Sequence, residues 1–359
     1  GSLGDVYLEE GLYSQALEQF ARALESEPDN VSYLHHSART YSQMGHMAEA
    51  AELLEKATSI EPDAPELLSD LGSIYCSQGK YRSAREKYLR AAELAPERPD
   101  YLLNLGDVAC ELGDTEEALR KYREAIAARE DYTPAHERLG ALFEAEGKWR
   151  SALEAYERAC KIEPGSAFYR YKVGAVLKEL GRHQAAAEHL EAAVELDPEM
   201  TEAYGQLGEV YESQERYDEA MQVYKQAIVT APQEAAHHAR IGRLCRQLGD
   251  LDKALEHARQ AVDLEPEDAA GYYELGKTYE TREEYHEALD AYLEALDRNP
   301  DKAEYCYSVG VTYKHLKRYP EAAAKLRRAI KLQPGHAEAY KQWAAVSAMS
   351  FISRERKDG

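Results

Sequence analysis

Three arginines, Arg240, Arg243 and Arg246, stand at intervals of three residues. On a helix that spacing keeps them within about a third of the circumference, so they form a row of guanidinium groups. A guanidinium presents donors in a planar fork that matches a carboxylate with two parallel hydrogen bonds. The chain is otherwise acidic, with 44 Lys and Arg against 66 Asp and Glu and a formal net charge of −22, so the row is a local inversion of sign. Arg138, Lys172 and Lys178 before it and Lys277 and Lys314 after it extend the basic set, and Tyr171, Tyr273 and Tyr307 are candidates to add apolar contact area. Glu209, Glu212, Glu274 and Glu280 interleave with these cations. Two readings follow: a mixed-charge solvated face neutralised by lateral ion pairs, or a surface for an acidic polypeptide segment.

Other chemistries find less support. The acidic balance argues against nucleic acid or an anionic membrane surface as main partner, because phosphate affinity needs a cationic surplus. No stretch approaches the length of apolar residues that spans a bilayer. His35-His36 and His237-His238 are adjacent pairs that point about 100° apart on a helix, so neither has the same-face spacing of a helical metal site; surface positions are expected for them. The five cysteines, Cys76, Cys110, Cys160, Cys245 and Cys306, fit no zinc or disulfide framework, which gives the expectation of reduced thiols and a cytoplasmic setting. No nucleophile-base set, phosphate loop or paired-carboxylate motif stands out, so the expectation is a protein with no catalytic residue, metal or cofactor.

The elements that must position the arginines are legible from a single ruler. Pro28, Pro62, Pro96, Pro164, Pro198, Pro232, Pro266, Pro300 and Pro334 follow a 34-residue period, with Glu130 at the one vacant mark. A period of that length sustained along a chain specifies a solenoid that grows by stacking and needs no single large core. Numbering each repeat so that the proline falls at position 32 gives nine complete repeats over residues 31–336, a truncated first repeat over 1–30, and a C-terminal capping helix and tail over 337–359.

Fixed columns then appear. Position 8 is small (Gly72, Gly106, Gly208, Gly276), position 20 is alanine in every repeat, and positions 11 and 24 are mostly aromatic (Tyr75, Tyr211; Tyr122, Tyr224). Positions 4, 7, 8 and 11 share one helical face, and positions 20, 24 and 27 share another. Glycine at position 15 closes the first helix and proline at 32 follows the second, so each repeat reads as a helical hairpin whose small and large columns interlock. Most of the 27 tyrosines thereby become core residues.

Leu-Gly at positions 7 and 8, an aromatic at 11, Ala at 20, an aromatic at 24, Ala at 27 and Pro at 32 resemble the tetratricopeptide repeat over essentially all of residues 1–336. The resemblance implies an all-α, right-handed superhelical solenoid of antiparallel helix pairs. Its first helices would line a concave groove that holds a peptide or partner segment, with Arg240 to Arg246 inside it. Two specialised family grooves do not match. The clamps for acidic chaperone tails use Lys at position 5 and Asn at position 9, where this chain has Ser69 and Ser73, Leu103 and Asp107, or Tyr273 and Lys277. The asparagine ladder of protein O-glycosyltransferases occupies position 6, where only Asn104 qualifies. The expected function is a non-catalytic interaction scaffold. The alternatives are the recruiting arm of a larger enzyme, such as a glycosyltransferase, and a self-assembling structural protein joined end to end through the truncated repeat around Leu3 and Tyr7.

Overall fold

The computed structural model describes residues 3–355, with side chains described to residue 349; the ends of the expected first repeat and C-terminal tail, residues 1–2 and 356–359, lie outside. Within those bounds every regular element is an α-helix, and within each of the two units described below successive helices pack against one another in chain order. First helices run over Val31–Gln43, Pro65–Ser77, Pro99–Glu111, Thr133–Ala145, Ala167–Glu179, Thr201–Ser213, Ala235–Leu248, Ala269–Thr281 and Ala303–His315. Second helices, such as Thr115–Ala128, Trp149–Ile162 and Tyr285–Arg298, are each 14 residues long. The chain is an α-solenoid of tetratricopeptide-type hairpins. No described helix is long and apolar enough to cross a membrane.

Contacts divide the chain into two compact units, with the sequence boundary between Leu180 and Gly181. Glu130 lies inside the first of these. The helix before it, Thr115–Ala128, ends at the same register as its proline-bearing counterparts, and the His136 ring Nε2 lies 2.9 Å from the Glu130 carbonyl oxygen. Proline is thus sufficient but not necessary to stop the second helix here.

The position-8 glycines have a specific cause. A Cβ on Gly106 would come within 2.3 Å of the Tyr122 ring, and one on Gly276 within 2.5 Å of Tyr292. The small column therefore makes room for the aromatic at position 24 of the same repeat. Where position 24 is Ala258, a Cβ on Gly242 would instead meet backbone, 3.2 Å from the Ala254 oxygen. Burial of the aromatic column is nearly complete at Tyr122, Tyr156, Tyr224 and Tyr292, and a buried side chain of that size contributes several kcal/mol. At the C-terminal end, helix Ala337–Glu355 covers the last hairpin with Ala339 and Val346, both fully buried, and with Trp343.

Position 15 keeps the left-handed backbone that ends each first helix. Glycine supplies it at Gly45, Gly79, Gly113 and Gly147, but Glu215, Glu283 and Lys317 hold it with φ near 60°. All three of these strained residues belong to the C-terminal unit.

Candidate functional site

Positions 6, 9 and 12 of the first helices lie on one helical face, and lateral hydrogen bonds tie them from repeat to repeat. In the C-terminal unit the Arg240 guanidinium donates to Glu209 at 2.8 Å, Arg243 to Glu212 at 3.1 Å, and Arg246 to Glu274 at 3.0 Å. Lys277 also reaches Glu274, at 3.4 Å. Each arginine is thus bound by a carboxylate from a flanking repeat, through position 6 to 9, 9 to 12, or 12 to 6. Arg240 is further seated by the absence of a side chain at Gly205, where an added Cβ would come within 2.2 Å of its Nη1, and by the Tyr224 ring 5.8 Å from its Cζ.

A second layer sits beneath the ladder. The Tyr224 hydroxyl donates to Glu212 at 2.6 Å, so that carboxylate accepts from a buried phenol and from Arg243 together. Burial and the adjacent Glu212 carboxylate both push the Tyr224 hydroxyl far above the ordinary phenol range, which keeps it a donor. Glu280 accepts from Tyr292 in the same register, and no cation pairs with it among the described residues. Arg246 keeps one buried donor, Nε, with no hydrogen-bond partner among the described residues. Lys314 donates to the Gln342 side-chain oxygen at 2.9 Å.

The tyrosines expected at this face separate into different classes. Tyr273 departs from the expectation: it is only 8% exposed, its ring lies 4.8 Å from Tyr305, and its hydroxyl donates to Glu304. It is a core residue that shows little surface to a partner, because its ring fills the space between successive first helices. Tyr307 is half-buried and packs on His336, with ring centroids 4.8 Å apart. Tyr171, in the N-terminal unit, is half-buried.

The candidate cations of the N-terminal unit, Arg138, Lys172 and Lys178, are also paired. Arg138 donates to Asp107 at 3.1 Å and Lys172 to Glu144 at 3.3 Å, while Lys178 lies 3.9 Å from Glu179. Beside the first of these pairs is a cleft of about 610 Å³ that sequence reading missed, lined by Cys76, Asn104, Asp107, Cys110, Tyr122 and Ala141 among others. It exists because position 12 carries cysteine in two consecutive repeats. A thiol is shorter than the glutamate that fills this column at Glu144, Glu212 and Glu280, so the Tyr122 hydroxyl turns to Asp107, 2.8 Å away. Cys110 is exposed and Cys76 half-buried, and burial raises the Cys76 thiol pKa. The signal was present in sequence as the pair Cys76 and Cys110 one period apart.

The second histidine pair corrects another expectation. His237 is fully buried, and His238 is 9% exposed with its Nδ1 lying 3.1 Å from Nδ1 of His257. These imidazoles belong to the interior, since they occupy positions 3 and 4, where buried residues such as Leu34, Leu67, Tyr101 and Tyr204 stand in other repeats. Burial lowers the pKa of all three rings, so they are held neutral. Among the described residues no cluster of three or more His, Cys, Asp or Glu side chains is arranged to hold a metal.

Comparisons with known proteins agree with this architecture. Three tetratricopeptide-repeat family models match residues 7–69, 72–109 and 273–337, and a model described as the cilia and flagella-associated protein 70 C-terminal domain matches residues 97–275. No curated protein matches the chain. Among solved structures, the yeast Tom70 crystal structure is similar over 99% of this chain and 96% of its own, with 15% identity and a TM-score of 0.53. The APC/C hetero-tetramer Cut9-Hcn1 is similar over 96% of this chain and 95% of its own, with 13% identity and a TM-score of 0.52. Both show likeness of fold at low identity. With family models spanning nearly all of residues 7–337 and the hairpin geometry on which they rest, the chain belongs to the tetratricopeptide-repeat family.

Proposed function

We propose that the chain is a non-catalytic scaffold that binds a partner polypeptide, and that the first-helix groove of its C-terminal unit takes an acidic segment. The observation that carries this reading is the row Arg240, Arg243 and Arg246, three guanidiniums on one helix, already engaged by carboxylates and with the buried Arg246 Nε still lacking an acceptor. A face that holds Glu209, Glu212 and Glu274 in this way has the chemistry to hold a partner's carboxylates. Binding is then an exchange of one carboxylate for another. Partly exposed ion pairs contribute about 0 to 1 kcal/mol each, so the internal glutamates are weak competitors. A partner's carboxylates gain most where they also satisfy the orphaned donor on Arg246.

The cations of the N-terminal unit, Arg138, Lys172 and Lys178, are secondary in this reading, and Lys277, Lys314 and Tyr307 flank the primary row. Contact with Tyr273 is confined to its exposed edge. Fluorescence anisotropy with a labelled Glu-rich peptide carrying two tyrosines, against the same peptide with Lys for Glu, tests the proposal. The protein should prefer the Glu-rich peptide, and the triple change Arg240→Glu, Arg243→Glu, Arg246→Glu should weaken it by about tenfold or more at unchanged helicity. Equal binding by the triple variant removes the groove from the account.

A further inference from the structure

A different face of the N-terminal unit carries a second cleft, of about 770 Å³, between the second helices Thr115–Ala128 and Trp149–Ile162. Its apolar part comes from Ile126, Leu139, Phe143 and Ala155, and its charged walls from Arg123, Arg158, Lys161, Glu154 and Glu157. The groove described above is built from positions 6, 9 and 12 of first helices. This cleft uses positions 4, 7 and 11 of one first helix as a floor and two second helices as walls.

Register sets this joint apart from three others. At three other joints position 11 is a tyrosine whose hydroxyl bonds to position 25 of the preceding repeat. Tyr75 donates to Glu55 at 2.8 Å, Tyr211 donates to Glu191, and Tyr279 accepts from Arg259 at 2.8 Å. These bonds bridge the second-helix wall to the first-helix floor. At the joint in question position 11 is Phe143, which has no hydroxyl, and position 25 is Arg123. Arg123 therefore lacks the partner that Arg259 has. Arg123, Arg158 and Lys161 form no ion pair or hydrogen bond among the described residues, whereas most other cations of this acidic chain are paired.

The geometry points to this cleft as a docking site for an acidic amphipathic segment of a partner protein, which places an aromatic or aliphatic side chain over Phe143 and Leu139 and a carboxylate against Arg123 and Arg158. Charge complementarity selects this occupant: in the walls the three unpaired cations outnumber the two carboxylates, Glu154 and Glu157, and the apolar floor between them offers nothing to a purely polar chain. A ligand carboxylate on Arg123 restores the bridge that a tyrosine hydroxyl makes at the joint of Arg259. The site shares no residue with the first-helix groove.

The same register supplies the test. Phe143→Tyr reinstates the hydroxyl opposite Arg123, so it should close the bridge from within and compete with the ligand while leaving the fold intact. The probe is a fluorescein-labelled helical peptide with Phe and Leu on one face and Glu flanking them, titrated into the protein that already carries Glu at positions 240, 243 and 246, so that the groove makes no contribution. Affinity should fall several-fold with Phe143→Tyr and by about tenfold or more with Arg123→Glu plus Arg158→Glu, at unchanged circular dichroism. The counterpart peptide with Lys for Glu should bind at least about tenfold more weakly than the Glu peptide. Absence of binding in that background, unchanged affinity in both cleft variants, or equal binding of the Lys peptide overturns the proposal. So does sedimentation showing a concentration-dependent dimer that Phe143→Tyr abolishes, since that would make a second copy the occupant. Loss of cleft binding alone leaves the groove reading standing, because each is read in variants of the other.

Discussion

The first-helix faces of the two units use the same three columns, but part of the N-terminal face opens into a pocket where the C-terminal face is closed. In the C-terminal unit, positions 6, 9 and 12 are filled by long charged side chains that pair laterally, with Tyr224 and Tyr292 donating to glutamates beneath them. In the N-terminal unit, Cys76, Cys110 and Ala141 leave a cleft of about 610 Å³, and the Tyr122 hydroxyl finds Asp107 instead of a position-12 carboxylate. Where the two faces are compared the scaffold beneath is the same: glycine at 8 (Gly106, Gly208, Gly276), alanine at 20 (Ala118, Ala220, Ala288) and tyrosine at 24 (Tyr122, Tyr224, Tyr292). Short side chains at position 12, together with Ala141 at position 9, leave a pocket where glutamates at position 12 close the face into a charge ladder.

If the scaffold really is common to both units, its disruption must cost the same in each. Tyr122→Ala and Tyr292→Ala remove nearly fully buried rings that sit against glycine, and each should destabilise by about 3 to 5 kcal/mol in urea or thermal unfolding. A cost several-fold smaller in one unit would break the equivalence on which the comparison rests.

Acid should separate the units. The lowered pKa values of His237, His238 and His257, caused first by burial, mean that the folded C-terminal unit binds fewer protons than the unfolded chain as pH falls below the ordinary histidine value of 6.5. Their neutral forms impose no penalty above that pH. Below it, stability falls by up to about 1.4 kcal/mol per pH unit for each ring, until the folded-state pKa is reached. Glu234, 3.2 Å from the His237 Nε2, opposes this loss, whereas Arg240 adds to it. In the N-terminal unit His36 is lowered by burial against the raising effect of Asp5. Hydrogen exchange between pH 7 and 5 should therefore show the C-terminal unit loosening first, around helices Ala235–Leu248 and Leu251–Leu264. Replacing His238 and His257 by Tyr and Leu should flatten the pH dependence. The smallest effect concerns backbone strain: Glu283→Gly relieves a left-handed residue of a kind confined to the C-terminal unit, and should stabilise by about 1 kcal/mol in the same unfolding assay.

Much of this was legible in the sequence, and the exceptions share a cause. The 34-residue proline series, the glycine and alanine columns and the aromatic column are properties of one repeat read against itself, and they specify the hairpin and its stacking. The interleaving of Glu209, Glu212 and Glu274 with the arginines was visible as well, because the same columns recur. What the sequence concealed depends on which atoms of neighbouring repeats face each other. Tyr273 reads as a groove residue by position, yet its ring turns toward Tyr305 and its hydroxyl reaches Glu304. His237 and His238 read as surface residues by type, although their positions bury them. Both clefts arise from what is missing at a joint, a glutamate at position 12 or a hydroxyl at position 11, and an absence of that kind becomes evident only when the partner position one repeat away is known.

The central claim is that the C-terminal charge ladder receives carboxylates from outside. Its most direct measurement is the affinity of the labelled Glu-rich peptide for the native chain and for the chain with Glu at positions 240, 243 and 246, across a series of salt concentrations. The account predicts preference for the Glu-rich peptide over its Lys counterpart, weakening as salt rises, and a loss of about tenfold or more in the triple variant at unchanged helicity. Equal affinity in the native and triple-variant proteins would contradict it.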